Sequence, residues 1–357
     1  MSESSTLRAQ KFREKSYSSR PIRFRICTKK FIFVRYKKTP SNFFQKETVN
    51  IMNKENNIRV IDLFCGCGGL SLGFQNAGYD IISAFDFWDE AIKIYKRNFK
   101  HPIIKRDLSQ IEDIADIEAL HPDMIIGGPP CQDYSSAGHR DETLGRANLT
   151  ISFAEIVTHI RPRLFLMENV PTIQKSDKLR IVTQMFKDAG YGLSKKVLDA
   201  SRCGVPQKRK RFIMVGMLGE NDGFLDQTLE SHLSCKSMTL RDYFGDSLGF
   251  EYYFRVPRSY SRRGVFSIDE PAMTIRGVDR PVPSGYKGHP GDPVPLNNSI
   301  RTLTYQERSW IQTFPKSFEW GEGSKTNLNQ AIGNAVPVKL AEYVANCLLE
   351  YLNGKVS

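Results

Sequence analysis

An α/β architecture is what this sequence predicts, on three observations. From residue 59 to about residue 217, short apolar runs that read as strands alternate with helix-length amphipathic stretches. The first strand–helix junction is glycine-rich, Cys65-Gly66-Cys67-Gly68-Gly69, and the strand after it ends on an acid, Asp86. A later strand is cut off by Gly127-Gly128-Pro129-Pro130, immediately ahead of Cys131. Strand, glycine turn, helix, strand and terminal acid together form a Rossmann-like nucleotide-binding plan.

The first 52 residues stand apart. They hold thirteen lysines and arginines against three acids, so most of the formal net charge of +12 lies there and the other 305 residues carry only about +2. With no glycine and no sustained periodicity beyond the patch Phe31-Ile32-Phe33-Val34, they read as a flexible basic arm. The same composition fits a transit peptide, and translation from Met52 would remove the arm and leave every motif intact. Charge concentrated in this way is weak evidence for nucleic-acid binding by the body.

Ordered sequence begins with the strand Arg59–Phe64, followed by the glycine turn, a helix from Leu70 to Asn76 closed by Gly78, and a strand from Asp80 to Phe85. Asp86 lies twenty residues past Gly66, where an acid can accept from ribose hydroxyls. Gly66-x-Gly68-Gly69 is not the dinucleotide fingerprint and suits a nucleoside without a pyrophosphate. Phe64 and Phe87 divide evenly between stacking on a base and ordinary core packing. A helix over Ala91–Asn98 and a short strand at Ile103-Ile104 lead to Asp107. The strand Asp123–Ile126 then delivers Cys131 to the carboxyl edge of the sheet. A lone cysteine is usually an inert, small hydrophobe, whereas at this edge it can be an activated nucleophile.

A helix over about Asn148–Ile160 precedes the strand Leu164–Met167, which brings Glu168-Asn169-Val170 to the same edge. A helix over Leu179–Ala189 is followed by strands at about Ser194–Leu198 and Arg211–Met217. In the basic run between them, strand alternation turns Gln207, Arg209 and Arg211 to one face and both lysines to the other. Residues 219–300 are loop-rich, with Arg, Tyr, Gly and Pro interleaved, as suits groove and phosphate contacts or an irregular surface insertion. Thr304 and Glu307 have capping-box spacing for a helix ending near Phe314-Pro315. Pro337 opens a last helix whose stripe Leu340, Val344, Leu348 and Tyr351 needs a sheet to cover, which returns it to the first domain. The predicted division is an arm (1–52), a catalytic and cofactor-binding domain (53–218 with 325–357), and a smaller recognition domain with its return segment (219–324). Seven scattered cysteines give neither a disulfide framework nor zinc spacing, and a cytoplasmic, metal-free protein without a membrane span is expected.

In order, Asp62-Leu63-Phe64-x-Gly66-x-Gly68-Gly69, Pro129-Pro130-Cys131-Gln132, Glu168-Asn169-Val170, Gln207-x-Arg209-x-Arg211 and Gly333-Asn334-Ala335-Val336-Pro337 resemble the signature of the DNA (cytosine-5) methyltransferases over roughly residues 58–352. Asp133, where many relatives carry a small or aromatic residue, departs from it. The resemblance implies an S-adenosylmethionine domain and a small target-recognition domain with double-stranded DNA between them. It places Phe64, Gly66, Gly68, Asp86, Phe87, Asp107, Pro129, Asn334 and Ala335 around the cofactor. Cys131 becomes the nucleophile, with Glu168, Arg209 and Arg211 around a flipped cytosine. A monomeric modification methylase is implied, sharing its site with a restriction endonuclease without a stable complex. An RNA (cytosine-5) methyltransferase and an inactive DNA-binding regulator are the alternatives. The loop-rich segment favours DNA, and an intact Cys131, Glu168 and arginine pair favour an enzyme.

Overall fold

The computed structural model describes residues 58–111, 114–130, 149–257, 259 and 262–355, and the backbone of two strands upstream, β1 (Val34–Lys38) and β2 (Phe44–Thr48). These two pair antiparallel, from Val34 opposite Thr48 to Lys38 opposite Phe44. The stretch read as an arm without regular structure therefore contains a hairpin. Val34, Tyr36 and Phe44 are strand formers, too few to raise a long periodicity. The hairpin belongs to a unit ending at Asn56, separate from the unit Asn57–Ser357.

The larger unit is built on β3 (Arg59–Leu63), α1 (Gly69–Asn76), β4 (Asp80–Asp86), α2 (Asp89–Asn98), β5 (Ile103–Lys105), α3 (Ala115–Glu118) and β6 (Met124–Gly127). After these come α4 (Leu149–Ile160), β7 (Leu164–Asn169), α5 (Asp177–Asp188), β8 (Tyr191–Asp199), β9 (Gln207–Lys208) and β10 (Lys210–Leu218). The main sheet runs β5-β4-β3-β6-β7-β10-β8. Strands β3 to β7 are parallel, and β10 is antiparallel to both β7 and β8.

Strand alternation sorts the core onto two faces. Val60, Ile126, Leu166 and Val215 pack with Leu70 and Phe74 of α1 and with α10 (Val338–Lys355). Ile61, Ile125, Phe165 and Met214 pack against Phe153 and Val157 of α4 and Val182 and Phe186 of α5. Leu340, Val344 and Leu348 are buried, so the last helix does cover the sheet beside the first. The contact is close: a Cβ on Gly69 would lie 2.2 Å from the Val336 carbonyl oxygen, and one on Gly73 2.4 Å from the Ala341 methyl.

The 219–324 segment holds short elements: α6 (Asp226–Ser231), α7 (Leu240–Phe244), β11 (Tyr252–Phe254), β12 (Val265–Ser267), β13 (Ala272–Met273) and α8 (Tyr305–Ile311). The Thr304–Glu307 capping box is formed in full. A small core of Phe254, Val265 and Ile300 sits under the loops. A larger cluster joins Tyr253, Phe266 and Phe314 to Tyr95 of α2, to Phe99 just after it and to Leu328 and Ile332 of α9 (Lys325–Asn334). No helix among the described residues is long and apolar enough to cross a membrane.

Gly69→Ala should cost about 2–3 kcal/mol in urea denaturation, because backbone rather than a pliable side chain occupies the space of its methyl. Stability within about 0.5 kcal/mol of the parent would show that α1 and α10 separate freely.

Candidate active site

The strand order changes direction at β3, which pairs with β4 on one side and β6 on the other, Leu63 lying opposite Gly127. The carboxyl ends of β3 and β6 thus open a crevice at a topological switch point, where open α/β sheets bind ligands. The glycine turn leaves one strand there, and Gly127-Gly128-Pro129-Pro130 leaves the other.

On the glycine side, Phe64, Gly66 and Gly68 all take positive φ, at 59°, 55° and 94°. Asp86 holds this turn: its Oδ2 accepts from the Gly66 amide at 2.7 Å and its Oδ1 from the Trp88 amide at 2.8 Å. Burial raises its pKa despite these bonds. A carboxylate offers about four lone-pair sites, so capacity remains for hydroxyl donors. A Cβ on Gly66 would meet nothing within 4 Å, which leaves the turn's backbone facing open space. Phe87 is 62% exposed with Lys105 Nζ 5.7 Å from its ring centre, which excludes core packing for this residue and leaves a free face for a base. Phe64 is only partly buried. Arg106 donates its amide to the Asp86 carbonyl at 2.9 Å, which brings Asp107 to the same rim, where its Oδ1 accepts from the Ser109 amide and hydroxyl. From the other end of the chain, exposed Asn334 closes α9 and buried Ala335 leads into Val336, packed on Gly69.

On the opposite side of the crevice, Glu168 and Asn169 end β7. Asn169 Nδ2 donates to the Pro129 carbonyl at 3.2 Å, and its Oδ1 accepts from the Val170 amide at 2.8 Å, so the motif clamps the proline turn. Glu168 lies directly over that turn, its Oε2 3.3 Å from where a Cβ on Gly128 would be. Arg211 Nε sits 2.7 Å from Glu168 Oε1, an ion pair in which both side chains are nearly buried. The contact lacks hydrogen-bond alignment, and Oε1 has no hydrogen-bond partner among the described residues. Burial raises the Glu168 pKa against the pull of Arg211 and Arg209. A buried carboxyl whose proton is held more tightly than usual, beside a fixed cation, can share that proton with a ring nitrogen and stabilise charge developing on it. Cys131, with Gln132 and Asp133, lies outside the described residues, and the described chain stops at Pro130, one residue before it.

Buried Gln207 and Arg209 and partly buried Arg211, set against exposed Lys208 and Lys210, match the predicted alternation. The three do different things. Gln207 Nε2 donates to Gln312 Oε1 at 2.8 Å, and Gln207 Oε1 accepts from the Ile275 amide at 2.8 Å. Gln312 Nε2 in turn donates to the carbonyls of Ile332 and Ala335. Arg209 donates to the carbonyls of Ile275, Gly333 and Ala335, at 2.8, 2.8 and 3.0 Å. Only Arg211 meets Glu168 in a direct ion pair.

Sequence reasoning passed over Gln312 and a buried chain beneath the glycine turn. Ser71 Oγ donates to Asp62 Oδ2 at 2.5 Å, and Tyr95 OH bonds Ser71 Oγ at 2.7 Å and lies 2.6 Å from His101 Nε2. Asp62 was quoted only as part of a motif, yet its inward place on β3, opposite Ser71, was readable from strand parity and helix phase.

The C-5 cytosine-specific DNA methylase family model matches residues 58–350. Type II methyltransferase M.HindV of Haemophilus influenzae is 55% identical over 296 residues, 82% of this chain and 97% of that one. M.HgiDI of Herpetosiphon aurantiacus is 50% identical over 297 residues, 83% and 96% of the two chains. Among solved structures, the S. pombe Dnmt2 methyltransferase overlays with a TM-score of 0.62 at 20% identity, covering 84% of this chain and all of that one, a likeness of fold.

Burial, opposed by the Ser71 hydrogen bond, lifts the Asp62 pKa from 3.8 to about 7. The folded chain holds this proton where the unfolded chain has lost it, so the stabilisation is whole below pH 3.8 and disappears as pH climbs to about 7. The rise from 3.8 to about 7 amounts to about 4 kcal/mol. Asp62→Asn should flatten this slope in urea titrations between pH 4 and 8. An unchanged slope would show that Asp62 is ionised throughout that range.

Proposed function

The chain belongs to the C-5 cytosine-specific DNA methylase family, and we propose that it methylates C5 of a cytosine flipped out of a specific double-stranded DNA sequence, through a transient bond from Cys131 to C6. The observation that carries this reading is the Glu168–Arg211 ion pair, buried over the Gly128 turn just ahead of Cys131. A binding protein has no use for a buried carboxyl paired with a guanidinium over the turn that leads to a cysteine.

Cytosine C5 is a poor nucleophile while the ring is aromatic. Addition of the Cys131 thiolate to C6 forms a C–S bond and shifts electron density onto C5, making it enamine-like. The negative charge that develops towards N3 and O2 is met by the Glu168 proton at N3 and the Arg211 guanidinium at O2. S-adenosylmethionine, when bound, supplies the electrophilic methyl group. The pocket suits it: Gly66 opens onto free space, Asp86 has acceptor capacity beside it, and Phe87 presents an exposed ring. Asp86 would hold the ribose hydroxyls, Asp107 the adenine amino group, and Phe64, Gly68, Pro129, Asn334 and Ala335 the remaining walls. A base, water in this scheme, then removes the C5 proton, the C–S bond breaks, and the thiolate returns. Flipping costs a few kcal/mol, which contacts from the 219–324 segment offset.

The names of the type II relatives support a modification role; a restriction endonuclease of the same site and a cytoplasmic location complete the proposed reading.

Cys131→Ser should abolish methyl transfer while leaving duplex binding within about threefold in a gel-shift titration; normal turnover would remove the nucleophile assignment. DNA carrying 5-fluorocytosine at the target should form a denaturation-resistant complex with the wild-type protein, since fluorine cannot depart as a proton does. Full turnover on that DNA without a trapped complex would exclude addition at C6.

A further inference from the structure

Arg209 shares a strand face with Arg211, and its motif suggests a second cation for the flipped base. Its surroundings argue for another task. The side chain is 1% exposed, and its two terminal nitrogens are spent on three backbone carbonyls. Two of these, of Gly333 and Ala335, lie at the carboxyl end of α9, where helix carbonyls lack intrahelical donors and the dipole is negative. The third, of Ile275, belongs to a loop of the 219–324 segment. That loop is pinned a second time where Arg308 pairs with Asp279 at 3.1 Å and donates to the Arg276 carbonyl. Gly277 and Gly333 complete the joint, since a Cβ on Gly333 would fall 2.1 Å from the Gly277 amide nitrogen.

Three backbone carbonyls therefore occupy both terminal nitrogens of the Arg209 guanidinium, and Nε lacks a hydrogen-bond partner among the described residues. The pair of carbonyls it holds brackets Asn334, the exposed residue that the proposed reading sets against the cofactor. Arginine suits the position because its planar fork serves several fixed acceptors at once, which a lysine ammonium on a flexible stem does not.

We propose that Arg209 is a positioning residue: it caps the end of α9, fixes Asn334 at the cofactor crevice, and ties that wall to the Ile275–Asp279 loop of the recognition segment, without touching the base. This rests on the functional reading above, so the experiment begins with the wild-type chain.

Calorimetric binding of S-adenosylhomocysteine by the wild-type protein tests the premise itself, and absence of binding there would sink the functional reading. With binding established, Arg209→Lys should weaken it by about tenfold or more, as expected when buried carbonyls lose their donors. Flipping, read from the fluorescence of 2-aminopurine at the target position of a duplex, should stay near wild-type level. Gln312→Ala, which strips donors from the same elbow through Ile332 and Ala335 and lies away from Glu168, should reproduce this pattern. The variant also serves if Arg209→Lys does not fold. Unchanged S-adenosylhomocysteine affinity in the folded variants, with flipping lost in Arg209→Lys, would overturn the proposal and make Arg209 a base contact.

Discussion

A carboxylate and a guanidinium taken out of water together set the terms for this crevice. Burying either alone would cost several kcal/mol, and even as a pair they gain little net stability. What the pairing secures is a defined place for charge. Burial lifts the Glu168 carboxyl above its ordinary range, outweighing the attraction of the nearby arginines. Arg211 stays fixed because its partner is anchored at the end of a fully buried strand. The Asn169 clamp on Pro129 ties the loop leading to Cys131 to the same strand end. Displacing β7 by even an ångström would separate the acid from the turn it overlies.

The two halves of the crevice are built by different means. On the glycine side, backbone conformation does most of the work: three alternate turn positions at positive φ and one carboxylate holding two amides. On the other side, side chains are locked by burial. The amide and guanidinium network of Gln207, Arg209 and Gln312 joins the halves through carbonyls near residues 275 and 332–335. The segment 332–335 and the loop at Ile275 are thereby parts of one joint.

Much of this was legible in the sequence, for physical reasons. The strands of the main sheet are short apolar runs bounded by glycine, proline or acid, and their parity assigns faces without ambiguity, as the 207–211 burial pattern shows. Thr304 and Glu307 announce their helix because a capping box is a purely local interaction. The acceptors of Arg209 could not be read, because a backbone carbonyl has no sequence identity and these come from positions 66 to 126 residues away. The short helices α6 and α7 span too few turns to raise a periodic signal. The hairpin at 34–48 was hidden for the same reason.

The approach of Val336 to Gly69 has a consequence for biosynthesis. One wall of the pocket leaves the ribosome near the start of the domain, and its opposing wall, with α10 behind it, only at the domain's other end. Until then the apolar underside of α1 and the edge of the sheet stand uncovered, as a chaperone substrate or a seed for aggregation. The wall at Val336 can thus close on the glycine turn only after the intervening residues of the domain have been synthesised.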